Sequence, residues 1–366
     1  MIRTVLFPSK YVQGVNAIER LDDEISRLGS KGFILTDKAV TACIKKIVSS
    51  SEFKSSVIME EFNGLCTEDE LDRLQSLTEG SDCVIGIGGG AAIDTARILS
   101  YRIGAAQIII PSIASTDAPC SGVAPIRSKE GHIIKVVNAG KNPDVVLVDT
   151  RMIAEAPVRL LVSGMGDSLS TWFEAESCYQ SNVPNGNTGG DYIAMTTMTL
   201  ARLCFDTLMN YGLAAKNACK VNAVIPALEH VVEANSLLSS IGFESGGLAS
   251  SHAIENGLAS YGTLHKNFFH GELVAFGVIA SLLLIDKPRE LIDQVLRFCE
   301  SVGLPTTFED LGLKGIDDEG IMKIAEVSAS VPFASHEPID VTKESIFWAL
   351  KAADTEGQHS KSKKLL

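Results

Sequence analysis

Two histidines, His252 and His270, lie in a stretch of small and polar residues, Gly242–Gly271 (GFESGGLASSHAIENGLASYGTLHKNFFHG). Imidazole is a common ligand of borderline metals such as zinc, and a carboxylate can complete the shell. The segment SSHAIENGL places Ala253, Ile254, Leu258 and Ala259 at helical spacing, so His252 reads as a helix residue. His270 stands at the entry of the next helix, ahead of the apolar run Leu273–Ile285. Each imidazole thus leans on a different helix, and two helices can aim them at one point. The residues alone leave another reading open, in which one histidine is buried, the other caps a helix, and no metal joins them.

A second chemical feature is Gly86-Ile87-Gly88-Gly89-Gly90, which follows an apolar strand, CVIGI, and precedes a helix beginning near Ala91. Successive glycines let the backbone turn tightly and present bare N–H groups, and the helix N-terminus adds partial positive charge. That is a cradle for a pyrophosphate. No Walker lysine follows, which opposes a kinase-like NTPase. Asp37 ends the strand FILT, where an acidic residue can accept hydrogen bonds from a ribose diol and repel a 2′-phosphate, favouring NAD over NADP. A solvated turn residue or helix N-cap is the competing reading of Asp37.

The elements that must position these residues fall into two textures. Strand-like segments at Phe33–Thr36, Ser56–Glu60, Cys83–Ile87, Gln107–Ile110 and Val145–Val148 alternate with helical ones, among them Ala17–Leu28, a helix opened by a Thr67/Glu70 capping box and running to about Glu79, and Ile93–Ser100. Such alternation means a mostly parallel sheet with helices on both faces. Beyond Pro157 strand signals nearly vanish, and helical patterns take over at Val158–Tyr179, Asp191–Met209, Val221–Ser239, Gly271–Asp286, Arg289–Val302, Glu319–Ala329 and Lys343–Ala353. The expected fold is an α/β dinucleotide-binding domain over 1–157 followed by an all-helical domain over 158–366, with the site in the cleft between them.

Composition narrows the function. The chain has 366 residues and a net charge of −13, which opposes a nucleic-acid footprint. Its eight cysteines show no CxxC spacing, as expected of reduced thiols in a cytoplasmic protein. The opening MIRTVLFPSKYVQG lacks a signal-peptide apolar run, and Leu273–Ile285 is too short to span a bilayer, so no membrane partner is expected.

Five motifs occur in order: GIGGGAAIDTA, PSIASTDAPCS (Pro111–Ser121), GMGDSLSTWFEAE (Gly164–Glu176), GFESGGLASSHAIENGL and HGELVAFG. Together they resemble the glycerol dehydrogenases of the iron-containing (group III) alcohol dehydrogenase superfamily. The resemblance covers nearly the whole chain, including KYVQG (Lys10–Gly14) and KNPDVVLVDT (Lys141–Thr150). It implies one divalent metal between the two domains, with ligands at Asp167, His252 and His270. It puts NAD contacts at Asp37, Gly88, Gly89, Gly90, Asp94, Ser112, Ser115, Ser121, Val123 and Arg127. Asp117 and Phe243 fall on the substrate side, and Asp117 joins the three ligands as the catalytic set. The implied activity is NAD-dependent, metal-assisted oxidation of a small polyol, foremost glycerol to dihydroxyacetone, by a homo-oligomer that in this family is often an octamer.

Three positions depart from the family pattern. Ala91 replaces a usual lysine, Arg127 a usual tyrosine, and Glu255 stands where a second histidine often follows the metal histidine. Arg127 could pair with an anionic substrate, such as glycerol 1-phosphate or a 2-oxo or 2-hydroxy acid, or could point to solvent. A lyase resembling dehydroquinate synthase is a further alternative, opposed by TDAPCS and GFESGG. Iron-using relatives place a histidine four residues after the ligand aspartate, and here that residue is Thr171. Three protein ligands with open positions suit catalytic zinc, the favoured metal, although two histidines and a carboxylate also suit Fe(II). His265 reads as a surface residue rather than a proton relay.

Overall fold

The computed structural model describes residues 1–363; the last three residues of the expected helical domain lie outside them. Six strands form one parallel sheet: β1 (Tyr11–Gly14), β2 (Lys31–Thr36), β3 (Ser56–Glu61), β4 (Cys83–Gly88), β5 (Ala106–Pro111) and, after a hairpin described below, Val145–Asp149. All five expected strands are present. The hairpin consists of β6 (Val123–Arg127) and β7 (Ile133–Asn138), which makes Val145–Asp149 β8. The sheet order is β1-β8-β5-β4-β2-β3. The chain therefore runs outward from β2 to β3, returns to β4, and continues the opposite way to β5. That reversal opens a crevice at the carboxyl ends of β2 and β4, where open α/β sheets bind ligands.

Three strands, β1 and the hairpin pair β6 and β7, are not legible in the sequence. β1 is too short to show a period. β6 carries Pro125, which cannot donate to a ladder and is tolerated on this two-stranded edge.

From Thr150 onward the described residues contain helices and turns, with isolated bridges only. Several expected boundaries move, and three have a local cause. The helix expected from Asp191 starts at Met195, because Asp191 and Tyr192 are drawn into bridges with Asn185 and Arg3. The one expected from Val221 starts at Pro226, whose fixed φ suits a first helical position. The helix after Thr67 ends at Gln75, not Glu79, and only half of its capping box forms. Thr67 Oγ1 accepts the Glu70 N–H at 3.2 Å, while the Glu70 carboxylate turns to Asn63 and Arg73. No helix among the described residues is long and apolar enough to cross a membrane.

Residues from before and after 157 share buried contacts. One contiguous buried cluster includes Phe33, Ile93 and Val146 from the sheet half and Met165, Phe276 and Leu350 from the helical half. The first residues also cross over: Thr4 Oγ1 donates to Asp191 at 2.6 Å, and the Leu6 N–H to Ser245 Oγ at 2.9 Å. All eight cysteines are unpaired, and all but Cys43 are buried.

Candidate active site

Three helices supply the candidate metal ligands. Asp167 lies inside the helix Val158–Gln180, His252 in the first turn of Ser250–Ser260, and His270 at the start of His270–Leu284. Glycines let these helices meet. A Cβ on Gly271 would fall 1.9 Å from the Ser163 carbonyl oxygen, and one on Gly166 would fall 2.2 Å from that of Gly271. The backbones therefore touch beside Asp167 and His270. Gly277 does the same for the third helix, since its Cβ would lie 2.5 Å from Ser251 O.

The crossing brings three donor groups to one point. His252 Nε2 lies 3.4 Å and His270 Nε2 3.3 Å from Asp167 Oδ1, and the candidate ligand atoms are all within 4.8 Å of one another. Asp167 is buried, and its Oδ1 accepts no hydrogen bond among the described residues; its Oδ2 accepts the Asp117 N–H at 3.1 Å. A buried carboxylate oxygen that faces two imidazole nitrogens without an aligned hydrogen bond calls for positive charge at that point, and a cation there would supply it. The imidazoles turn their other nitrogens to carboxylates: His252 Nδ1 to Glu174 Oε2 at 2.6 Å, His270 Nδ1 to Glu255 Oε1 at 3.1 Å. A proton on each Nδ1 leaves each Nε2 lone pair aimed at the shared point. The donor set fits a divalent ion.

The electrostatics call for positive charge there. Partial desolvation opposes charge on the half-exposed His270, yet Glu255 and Asp167 outweigh it and push its pKa up to about 10. His252 is likewise raised, against burial, by Glu174 and Asp167. Burial also works against ionised Asp167, but His270 and His252 hold its carboxyl well below the usual range. Asp117 goes the other way: burial first, and the Asp167 charge second, raise its pKa well above that of an ordinary carboxyl.

Asp117 sits in the loop after β5, and a π-helical turn, Ala234–Leu238, buttresses that loop. Asn235 Nδ2 donates to Ala114 O at 3.0 Å and to Leu161 O at 3.3 Å. Ser239 Oγ donates to Asp117 Oδ2 at 3.4 Å, and Ser240 Oγ to the Asp117 carbonyl. The extra residue of a π turn re-aims side chains, and here it faces a row of short polar ones toward the site.

Across the crevice, the glycine loop closes β4 and Gly90–Ile103 forms the following helix. Asp37 occupies the N-cap position of the helix Lys38–Val48 without capping it through its side chain. Its Oδ2 instead accepts the Gly89 N–H at 2.6 Å. A Cβ on Gly88 would lie 2.2 Å from that oxygen, so only glycine admits this approach.

Residues 8–150 match the family described as iron-containing alcohol dehydrogenase. A glycerol dehydrogenase of Thermotoga maritima is 48% identical over 99% of this chain and 100% of its own length. The chain belongs to the iron-containing alcohol dehydrogenase family. A glycerol dehydrogenase of Citrobacter freundii is 41% identical, covering 98% of this chain and 99% of its own. The crystal structure of the Schizosaccharomyces pombe glycerol dehydrogenase superposes with a TM-score of 0.94 at 34% identity, covering 99% of this chain and 93% of that one.

The other residues that the family resemblance points to have varied surroundings. Ser112 and Ser115 are buried behind the glycine loop, where the Ser112 N–H donates to Gly88 O at 3.0 Å. Ser121 is fully buried, and its Oγ accepts the Val123 N–H at 3.0 Å. Asp94 is paired at 2.9 Å with Arg97, a wholly buried guanidinium that also donates to Val123 O and Ala118 O. Arg127 Nη1 donates to Gly131 O at 2.9 Å, closing the hairpin turn. Phe243 is half-buried in the helix Ser239–Gly246. His265 is exposed and turns its Nδ1 to Ala259 O at 3.2 Å, as expected of a surface residue.

Glu174 was missed from the sequence as a site residue, although a signal exists. It follows Asp167 by two helical turns, and the two are the charged residues of the otherwise uncharged stretch Leu160–Ala175, so both carboxylates share one buried face. The π turn gave no signal of its own beyond the unusual run of buried polar residues Asn235, Ser236, Ser239 and Ser240.

Proposed function

We propose that this chain is an NAD-dependent, metal-assisted dehydrogenase of a small polyol, oxidising glycerol to dihydroxyacetone. The observation that carries the reading is Asp167 Oδ1, buried without a hydrogen bond between two imidazole Nε2 atoms. The names of the full-length relatives support the substrate. Asp167, His252 and His270 hold the ion, and zinc is favoured over Fe(II) because three ligands leave an open position and Thr171 is engaged with Ser239 at 2.8 Å. Such an ion supplies Lewis-acid stabilisation to a hydroxyl as its proton departs.

The chain's own groups do the positioning. Asp117, whose carboxyl burial and the Asp167 charge push upward, is placed to hydrogen-bond a second hydroxyl of a diol. Gly88, Gly89 and Gly90, with the helix N-terminus behind them, receive the pyrophosphate, and Asp37 the adenosine ribose. Phe243 walls the substrate side. Overall, the carbinol carbon loses a hydride to the nicotinamide and its hydroxyl loses a proton to water.

Arg127 adds no specific support to an anionic substrate: the contact its guanidinium makes is Nη1 to Gly131 O within its own hairpin turn. NADH formation from NAD and glycerol, compared with glycerol 1-phosphate and small hydroxy acids, tests the reading. Glycerol-dependent NADH that disappears on metal chelation is the expected result. Turnover confined to an anionic substrate, or indifferent to chelation, contradicts it.

A further inference from the structure

The two ligand histidines are not held alike. His252 has a side chain only 9% exposed, whereas that of His270 is 40% exposed. Packing therefore orients His252 and leaves the His270 ring free to rotate unless a directed contact stops it. Their carboxylate partners differ too. Glu174 is locked by the fold: its Oε1 accepts the N–H groups of Ala249 and His252 at 3.0 and 2.9 Å, and its Oε2 faces His252 Nδ1. Glu255 has no backbone anchor among the described residues. Its Oε2 accepts from Asn256 Nδ2 at 3.2 Å, and its Oε1 lies 3.1 Å from His270 Nδ1.

We propose that Glu255 is a positioning residue that fixes the rotation and tautomer of His270 for metal binding. This rests on the metal reading given above. Glu255 lies three residues after His252 on one helix, so both point to the same face. That helix thereby supplies one ligand and the orienting group of another. An ionised carboxylate can only accept, so it requires the proton on His270 Nδ1 and leaves the Nε2 lone pair facing Asp167. A histidine in place of Glu255 could donate or accept and would impose neither choice.

The test is zinc affinity of the metal-free protein, read by competition with a chromogenic chelator, in the parent, Glu255→Ala and Glu255→Gln. Glu255→Ala is expected to raise the zinc Kd by about 10–100-fold, the usual cost of losing an outer partner of a ligand. Glu255→Gln keeps an oxygen acceptor for Nδ1 and is expected to recover part of the loss. Thermal unfolding of the metal-free proteins separates positioning from a structural role, since only affinity should move. Should Glu255→Ala not fold, Glu255→Gln alone must still bind more weakly than the parent. A Kd unchanged in the folded variants overturns the proposal, as does a loss of affinity matched by equal loss of metal-free stability. A parent that binds no zinc overturns the metal reading itself.

Discussion

Gly166 and Gly271 meet backbone to backbone: a Cβ on Gly166 would sit 2.2 Å from the carbonyl oxygen of Gly271. The residues beside them, Asp167 and His270, are thereby brought face to face. The metal site is a consequence of this helix crossing, because side chains longer than hydrogen at either position would part the helices.

Gly271→Ala should accordingly force the helices apart. Overpacking of this kind typically costs about 1–3 kcal/mol, and more where backbone must move. Denaturant unfolding of the metal-free protein should show that loss, and zinc affinity should fall with it. Parental stability and affinity together would mean that the crossing tolerates a methyl group and does not set the site.

Glu174 and Glu255 should separate cleanly. Glu174→Ala strands the buried N–H groups of Ala249 and His252 as well as His252 Nδ1. Each unpaired buried donor costs about 1–3 kcal/mol, so the metal-free protein should lose stability measurably. Glu255→Ala strands no backbone group and should leave that stability nearly unchanged. Equal stability losses in calorimetry would contradict the assigned difference.

Asp37 should govern cofactor choice. Its carboxylate lies against the glycine loop, where an adenosine 2′-phosphate would meet a negative charge. The ratio of kcat/KM for NAD over NADP should be high in the parent and should narrow or reverse in Asp37→Gly. A parent that already prefers NADP would remove Asp37 from this role.

Metal affinity should rise with pH. The carboxylates raise both histidines, His270 to about 10, so the metal-free site retains protons at neutral pH. Zinc must displace them, which costs about tenfold in affinity per pH unit for each proton released. Chelator competition in buffers from mildly acidic to mildly alkaline should therefore show affinity climbing steadily. A flat profile would mean that the histidines are not the groups displaced.

Much of this architecture is legible in the sequence because burial imposes a period. The apolar strands β2, β4, β5 and β8 are covered on both faces and read as short continuous runs, and GIGGG between strand and helix marks the cradle. His252 and His270 stand out by type. Asp167 does not, since a lone aspartate in a helix has no local pattern that reveals a partner far along the chain; only its family motif marks it. The orienting carboxylates are hidden for a related reason. Spacing puts Glu174 on the face of Asp167, but what it orients stays hidden until the helix Ser250–Ser260 places its N-terminus against it. The hairpin β6–β7 escapes because Pro125 breaks the pattern and β7 is exposed along most of its length.

Metal content and turnover, measured together on the parent and His252→Ala, bear most directly on the site. Both proteins are stripped by chelation, reloaded with zinc, and assayed for bound metal, for NADH formation from glycerol, and for folding by circular dichroism. The parent should take up one ion per chain and regain activity, while folded His252→Ala should retain neither metal nor glycerol-dependent NADH formation above background. Full occupancy and parental turnover in His252→Ala would place the metal, and the chemistry, elsewhere.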